Sequence, residues 1–449
     1  MMLTFFSYTM IITFMFLVMK RKMSPFASLV FVPLIFSVFL MITGNSNNGS
    51  IGEFVLNGIK TVSNTGIMLL FAILYFSIML DAGLFDPITK KMIYFAKGDP
   101  MKVLIVTSVV AAVVSLNGDG TTTTLICSSA FIPIYRKLGM NLMNLAVLII
   151  LQNTIMNLLP WGGPTARAMA VLNVGPEIIV YLAPGMIISL LYVIMIVAPV
   201  MGRRERVRLG IQSMSSEELY ELTNIDDVMI QSLRRPAMWM VNAILTLTVI
   251  VLLIADSIYK IGFPPVFIFL VATVLALLIN YPDLQDQSSR INANGGDAIQ
   301  VAMLIFAAGV FMGLFQGTGM ADALAKHLTT IIPHQLSGYW GVLIALISAP
   351  GTFFISNDGF YFGVLPVLAE AGRGYGFTNM QMALASLMGQ AFHLLSPLVA
   401  FIYLLLRMTK LDMGKWQIES AKWAVGIFII FIIMICITGQ LPLYIPQSK

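Results

Sequence analysis

Charge is scarce in this 449-residue sequence: Asp, Glu, Lys and Arg together make up 10% of it, against 58% hydrophobic residues. Soluble domains carry roughly 25% charged residues, so a water-exposed globule is excluded. Cysteine is rarer still. Cys127 and Cys436 lie far apart in apolar surroundings, which excludes a disulfide framework. Three histidines are present, too few for a Cys/His metal cluster, and neither a Walker phosphate loop nor a Gly-x-Ser-x-Gly elbow occurs. ATP-driven chemistry and nucleophilic hydrolysis therefore have no sequence handle, and no permanently bound cofactor is expected. The net charge of +5 sits in short loops, so no nucleic-acid partner is expected either.

What the sequence does have is apolar runs of about 20 residues, the length that crosses a bilayer. Lys20, Arg21 and Lys22 follow the first run instead of preceding it. That order argues against a cleaved signal peptide and for a retained span over residues 3–19. Basic loops favour the cytoplasm, which orients the rest. The 20–22 loop falls inside, the uncharged 45–50 loop outside, and Lys90, Lys91, Lys97 and Lys102 inside again. Residues 101–137 read as two half-length apolar arms that enter and leave on the cytoplasmic side, a re-entrant hairpin. Residues 141–173 then run outward and 178–200 inward. The polar stretch 201–235 reads as a cytoplasmic linker, with Ser215-Ser216-Glu217-Glu218 resembling a capped surface helix. The second half repeats the plan: spans near 237–256, 263–280 and 297–316, an outward-opening hairpin over 338–371, then spans near 380–405 and 421–438.

The predicted fold class is therefore an all-α polytopic membrane protein of two inverted repeats, residues 1–200 and 236–449. Each has five spans and one re-entrant hairpin, and both termini are expected outside. Met68-Leu69-Leu70-Phe71-Ala72 matching Met303-Leu304-Ile305-Phe306-Ala307 supports the repeat.

Chemistry concentrates where the helices break. The first tip reads Asn117-Gly118-Asp119-Gly120-Thr121-Thr122-Thr123-Thr124. Irregular backbone at membrane depth is tolerated only inside protein or beside a watery cavity, and an ionisable group there costs ~2.5–3.5 kcal/mol on insertion scales. The glycines permit the turn, and the threonine run opens a helix whose free N–H groups suit carboxylates. The second tip, Ser356-Asn357-Asp358-Gly359, repeats the Asn, Asp and Gly chemistry. Two tips meeting near the midplane would bring Asp119 and Asp358 toward one site, which suits a metal ion or protons, and hard oxygen ligands are those Mg²⁺ and Ca²⁺ prefer. Pro160-Trp161-Gly162-Gly163-Pro164 interrupts a third apolar run, followed by Thr165 and Arg167. The Arg167 guanidinium fits a carboxylate, or it snorkels to headgroups. His393 in Gln390-Ala391-Phe392-His393-Leu394-Leu395-Ser396-Pro397 either carries a proton or is a hydrogen-bonded structural group. Two membrane aspartates also suit an intramembrane aspartyl hydrolase. That chemistry wants them on whole facing helices, not on glycine-flanked tips.

Asn117-Gly118-Asp119-Gly120-Thr121-Thr122-Thr123, Pro160-Trp161-Gly162-Gly163-Pro164-Thr165-Ala166-Arg167-Ala168 and His393-Leu394-Leu395-Ser396-Pro397-Leu398 strongly resemble the bacterial citrate–metal:proton symporter family, CitMHS, within the ion transporter superfamily. The likeness covers essentially the whole chain. It implies a secondary transporter, not an enzyme, of the elevator type, working as a homodimer in the bacterial cytoplasmic membrane. Its substrate would be citrate complexed with a divalent cation of the Mg or Ca type, imported in symport with protons. An anion antiporter or exporter, or a sodium-coupled di- or tricarboxylate transporter, is the alternative on the same scaffold. The resemblance carries the binding site onto Asn117, Asp119 and the following Thr121, Thr122 and Thr123, onto the break at residues 160–165 with Gly162, Gly163, Pro164 and Thr165, and onto Asn357, Asp358, Ser396 and Pro397. Residue chemistry alone adds Gly118, Arg167 and Ser356 to the substrate-binding set. Asp119, Asp358 and His393 would handle metal or protons.

Overall fold

The computed structural model describes residues 2–44, 49–210, 214, 218, 228–331 and 334–446. The surface helix expected at residues 215–218 rests on positions 215–217, which lie outside the described residues together with 211–213 and 219–227 of the linker and 45–48 of the 45–50 loop. Everything regular that is described is helical. The first half runs α1 (Met2–Met19), α2 (Pro25–Ile42), α3 (Ile51–Asp81), α4 (Asp86–Ala96), α5 (Pro100–Val114), α6 (Gly120–Lys137), α7 (Leu142–Met156), α8 (Gly163–Leu172), α9 (Ile178–Tyr192) and α10 (Ala198–Leu209). The second runs α11 (Trp239–Tyr259), α12 (Pro265–Asn280), α13 (Leu284–Gly317), α14 (Met320–Ile331), α15 (Trp340–Phe354), α16 (Leu365–Gly374), α17 (Asn379–Met388), α18 (Ala400–Thr409) and α19 (Met413–Ile437). Among the described residues, eight helical stretches are long and apolar enough to cross a membrane.

Each half contains one long helix, then a short amphipathic one, a helical hairpin, and a helix broken in its middle. The breaks fall where proline, joined by glycine in the first of them, stops the backbone ladder: residues 157–162 between α7 and α8, and 394–399 between α17 and α18. The arms of the first hairpin are longer than half a bilayer. α6 alone has 18 residues, because the threonine run, too polar to count as apolar span, is helical from its start.

The long helices α3 and α13 form the frame. Phe54 meets Gly313 and Gly317, Gly58 meets Gly309 and Gly313, and Gly66 meets Phe306. Rising numbers on one helix meet falling numbers on the other, so the pair is antiparallel. Their backbones touch: a Cβ added at Gly58 would lie 2.0 Å from the Gly309 carbonyl oxygen, and one at Gly309 would lie 2.7 Å from the Gly58 carbonyl oxygen. Small residues four apart allow this approach where no hydrophobic force draws helices together in lipid.

At one end of the frame Arg290 pairs with Asp81 at 3.3 Å, and Asn294 donates to the same carboxylate at 2.9 Å. Arg234 joins Asp86 at 2.8 Å, and Arg235 donates to the Asn280 carbonyl at 2.8 Å while lying over the Tyr281 ring. The residues leading out of the linker are thereby tied to the start of α4 and the end of α12. On the first hairpin's base, Arg206 makes a two-point contact with Asp99. Burial alone would raise the Asp99 carboxyl. Hydrogen bonds from Arg206 and the Met101 N–H outweigh it and hold the group below the usual carboxylate range.

Candidate functional site

The first tip is built by a 3-10 turn, Ser115–Asn117, that ends α5. Gly118 follows at φ +76°, a left-handed conformation costly to any residue with a Cβ. An added Cβ would also lie 3.0 Å from Trp161 Cδ1. The Asp119 N–H donates to Asn117 Oδ1 at 2.8 Å. The Asp119 carboxylate caps α6, accepting the Thr121 N–H at 3.3 Å and the Thr122 N–H at 2.6 Å. Two of the N–H groups expected to face an anion are therefore held by Asp119 itself. The Thr123 hydroxyl is buried and donates to the Asp119 carbonyl at 2.9 Å.

The first break leans on this tip. Trp161 Nε1–H donates to the Leu116 carbonyl at 2.8 Å, and its ring stacks on Phe76 with centroids 5.4 Å apart. Thr165, fully buried, donates to the Leu158 carbonyl at 2.9 Å and so closes the break. α8 then starts at Gly163 on a Gly162 cap that has no side-chain hydrogen bond, with Pro164 in its first turn. Such a start leaves backbone N–H groups and a positive dipole end to a ligand.

One turn into α8, Arg167 reaches the second tip. Its Nε donates to Asp358 Oδ1 at 2.7 Å, and its Nη1 donates to the Gly163 carbonyl at 2.9 Å. The two side chains are 18% and 20% exposed, which excludes the snorkelling geometry. In the second tip the Gly359 N–H donates to Ser356 Oγ at 3.1 Å, and Gln390 Nε2 donates to Asn357 Oδ1 at 3.0 Å. A π-turn, Gly359–Val364, leads into α16. The second break braces the same hairpin. Buried His393 donates its Nδ1–H to the Thr352 carbonyl at 2.7 Å, and Ser396 donates to the Phe353 carbonyl at 2.6 Å. The Pro397 carbonyl accepts from the Tyr403 hydroxyl at 2.8 Å.

Two cavities flank the joined tips. The first, about 300 Å³, lies between tip, break and frame. Asn117, Gly118, Asp119, Thr122, Trp161 and Gly163 line it on one side, and Ser77, Asp297 and Gln300 line it across the frame, with Ile73, Phe76, Leu80 and Val301. The second, about 440 Å³, is lined by Ser356 and Asp358 with Arg21, Lys22, Ser24 and Leu398 among others. Asp119 and Asp358 thus open onto different spaces, with the start of α8 between them. Thr123, Thr165, His393 and Ser396 are brought close as buried braces.

Trp161 lies inside the motif at residues 160–164, where the sequence alone assigns it no role. Asp297 and Gln300 fall at the edge of an apolar run, where a polar residue reads as the end of a span and carries no signal of a site. Among the described residues, no three His, Cys, Asp or Glu side chains cluster closely enough to hold a metal ion.

A model of the citrate transporter family, CitMHS, matches residues 14–389. The chain is 42% identical to a Bacillus subtilis (strain 168) protein named "Citrate transporter", over 98% of this chain and 99% of that one. It is 36% identical, with the same two coverages, to a protein of that organism named "Mg(2+)/citrate complex secondary transporter". Among solved structures, the Alcanivorax borkumensis YdaH transporter aligns with a TM-score of 0.56 at 14% identity, covering 87% of this chain and 88% of that one. That last likeness is one of fold alone.

Proposed function

Since the chain belongs to the CitMHS family of citrate transporters, we propose that it imports citrate as a complex with a divalent cation, in symport with protons, across a bacterial cytoplasmic membrane. The observation that carries the metal is the first cavity's wall, which among the described residues has two carboxylates, Asp119 and Asp297, and no Lys, Arg or His. Free citrate is a trianion near neutral pH, and such a wall repels it. A divalent cation reduces the substrate to a monoanion and gives the carboxylates a charge to approach. Citrate carboxylates would then lie toward the start of α8, at Gly162 to Thr165, while the metal faces Asp119.

Proton coupling has a physical candidate in the Arg167–Asp358 pair. Protonating Asp358 removes the charge that holds Arg167, and the guanidinium becomes available to a substrate carboxylate. His393 has one ring nitrogen, Nε2, left for a proton once Nδ1–H is committed to Thr352. The antiparallel α3–α13 pair, two helices at matching places in their halves, supports an inverted repeat about an axis in the membrane plane. The basic clusters near residues 20–22 and 90–102 support a cytoplasmic placement of both cavities. An elevator movement of the hairpins past the frame, in a homodimer, completes the reading.

The test is citrate uptake into proteoliposomes with an inwardly directed proton gradient and no sodium. Accumulation should need Mg²⁺ or a similar ion and stop with EDTA. Sodium-dependent uptake of metal-free citrate would refute the proposal.

A further inference from the structure

Asp297 stands apart from the other carboxylates near the frame. Its neighbours on α13 are engaged: Asp286 faces Arg235, and Arg290 pairs with Asp81. Asp297 sits two turns further along, exposed to the first cavity, and makes no hydrogen bond or ion pair with the described residues. A carboxylate that faces a cavity without a protein partner keeps its charge free for a cationic ligand.

Across the same space lies Asp119, fixed by two backbone N–H groups. The other polar groups on the wall are Ser77, Asn117, Thr122 and Gln300, all able to offer neutral oxygens. Carboxylate, amide and hydroxyl oxygens form a hard donor set, the kind that takes Mg²⁺ or Ca²⁺. The two carboxylates come from different bodies: Asp119 from the hairpin, Asp297 from a frame whose backbones are in contact at Gly58, Gly309 and Gly313.

We propose that Asp297 is a specificity-determining residue for the metal of the substrate, meeting the cation from the frame while Asp119 meets it from the hairpin. This rests on the metal–citrate reading and deepens it. Because Mg²⁺ demands a small octahedral shell and Ca²⁺ accepts a larger, looser one, the reach of residue 297 sets which complex fits. A longer acid pushes its carboxylate further into the cavity and favours the smaller ion.

The experiment compares wild type, Asp297→Asn and Asp297→Glu in proteoliposomes, with Mg–citrate and Ca–citrate as the two substrates. Monodispersity in detergent establishes that each variant is folded. Asp297→Asn should raise KM for both complexes by roughly tenfold, the loss of one charge-assisted contact. Asp297→Glu should keep affinity and shift the Mg-to-Ca preference toward Mg by about threefold or more. A purely structural role would leave that ratio unmoved. If Asp297→Asn does not fold, the Asp297→Glu ratio decides alone. Wild-type KM and wild-type preference in the folded variants overturn the role of Asp297 while leaving metal–citrate transport intact. A wild type that carries citrate equally without metal overturns the reading beneath it.

Discussion

Replacing Arg167 by Gln, Asp358 by Asn, and both together should show a strong favourable coupling between the two side chains. The pair is joined at 2.7 Å with about a fifth of each side chain exposed. Breaking a fully buried ion pair from one side costs ~3–5 kcal/mol, whereas exposed pairs are worth ~0–1 kcal/mol. At four-fifths burial, each single variant should lose about 2–3 kcal/mol. Asp358→Asn leaves a guanidinium without its counter-ion, and Arg167→Gln leaves a carboxylate in the same position. The double variant leaves no charge, so it should be less destabilised than the two singles summed, by about 2 kcal/mol. Apparent unfolding free energies in mixed micelles of increasing SDS measure this. Additivity within about 0.5 kcal/mol would refute the claim that the pair binds tip to break. Transport provides a second readout. Arg167→Lys offers one ammonium where the guanidinium bonds Asp358 and the Gly163 carbonyl through separate nitrogens. It should raise the KM for citrate while the protein stays folded.

Trp161→Phe keeps an aromatic ring beside Phe76 but removes the Nε1–H bond to the Leu116 carbonyl. It should destabilise the protein by ~1 kcal/mol and weaken substrate affinity, read by uptake kinetics and thermal unfolding. Gly309→Ala places a Cβ 2.6 Å from Val62 Cγ2 and 2.7 Å from the Gly58 carbonyl oxygen. Backbone cannot yield as a side-chain tip can, so a loss of about 1–3 kcal/mol and reduced yield of monodisperse protein are expected. Gly52→Ala, with nothing within 4 Å, is its control. Ser50→Cys should react with an impermeant thiol reagent in intact cells and Lys90→Cys only after permeabilisation. Reversed labelling would invert the proposed orientation.

The break points were the most legible part of the sequence. Proline and glycine at 160–164, and glycine on both sides of Asp119, stop a helix by local chemistry, so no distant information was needed to place them. Span positions were readable for the same reason, since apolar length is written contiguously. The length of the hairpin arms was not, because a threonine run can be helical without being apolar.

What brings the site together is also not written locally. Arg167 and Asp358 are 191 residues apart in sequence, and nothing near either names the other. The expectation that Asp119 and Asp358 face one space came from the likeness of the two tips. The cavities separate them, because the start of α8 comes between. Asp297 illustrates the opposite difficulty: it is conspicuous only once its lack of a partner is seen in three dimensions. The π-turns at Val193–Val197 and Gly359–Val364 likewise have no counterpart in hydrophobic periodicity.

The central claim is that citrate crosses with its metal, and counting both species on the inside tests it most directly. Purified protein in proteoliposomes, supplied with radiolabelled citrate and a radiolabelled divalent cation under an inwardly directed proton gradient, should take up the two in a constant equimolar ratio. Both fluxes should fall together in the Asp119→Asn variant. Citrate entering while the metal stays outside would contradict the account, and so would a ratio that drifts with the external metal concentration.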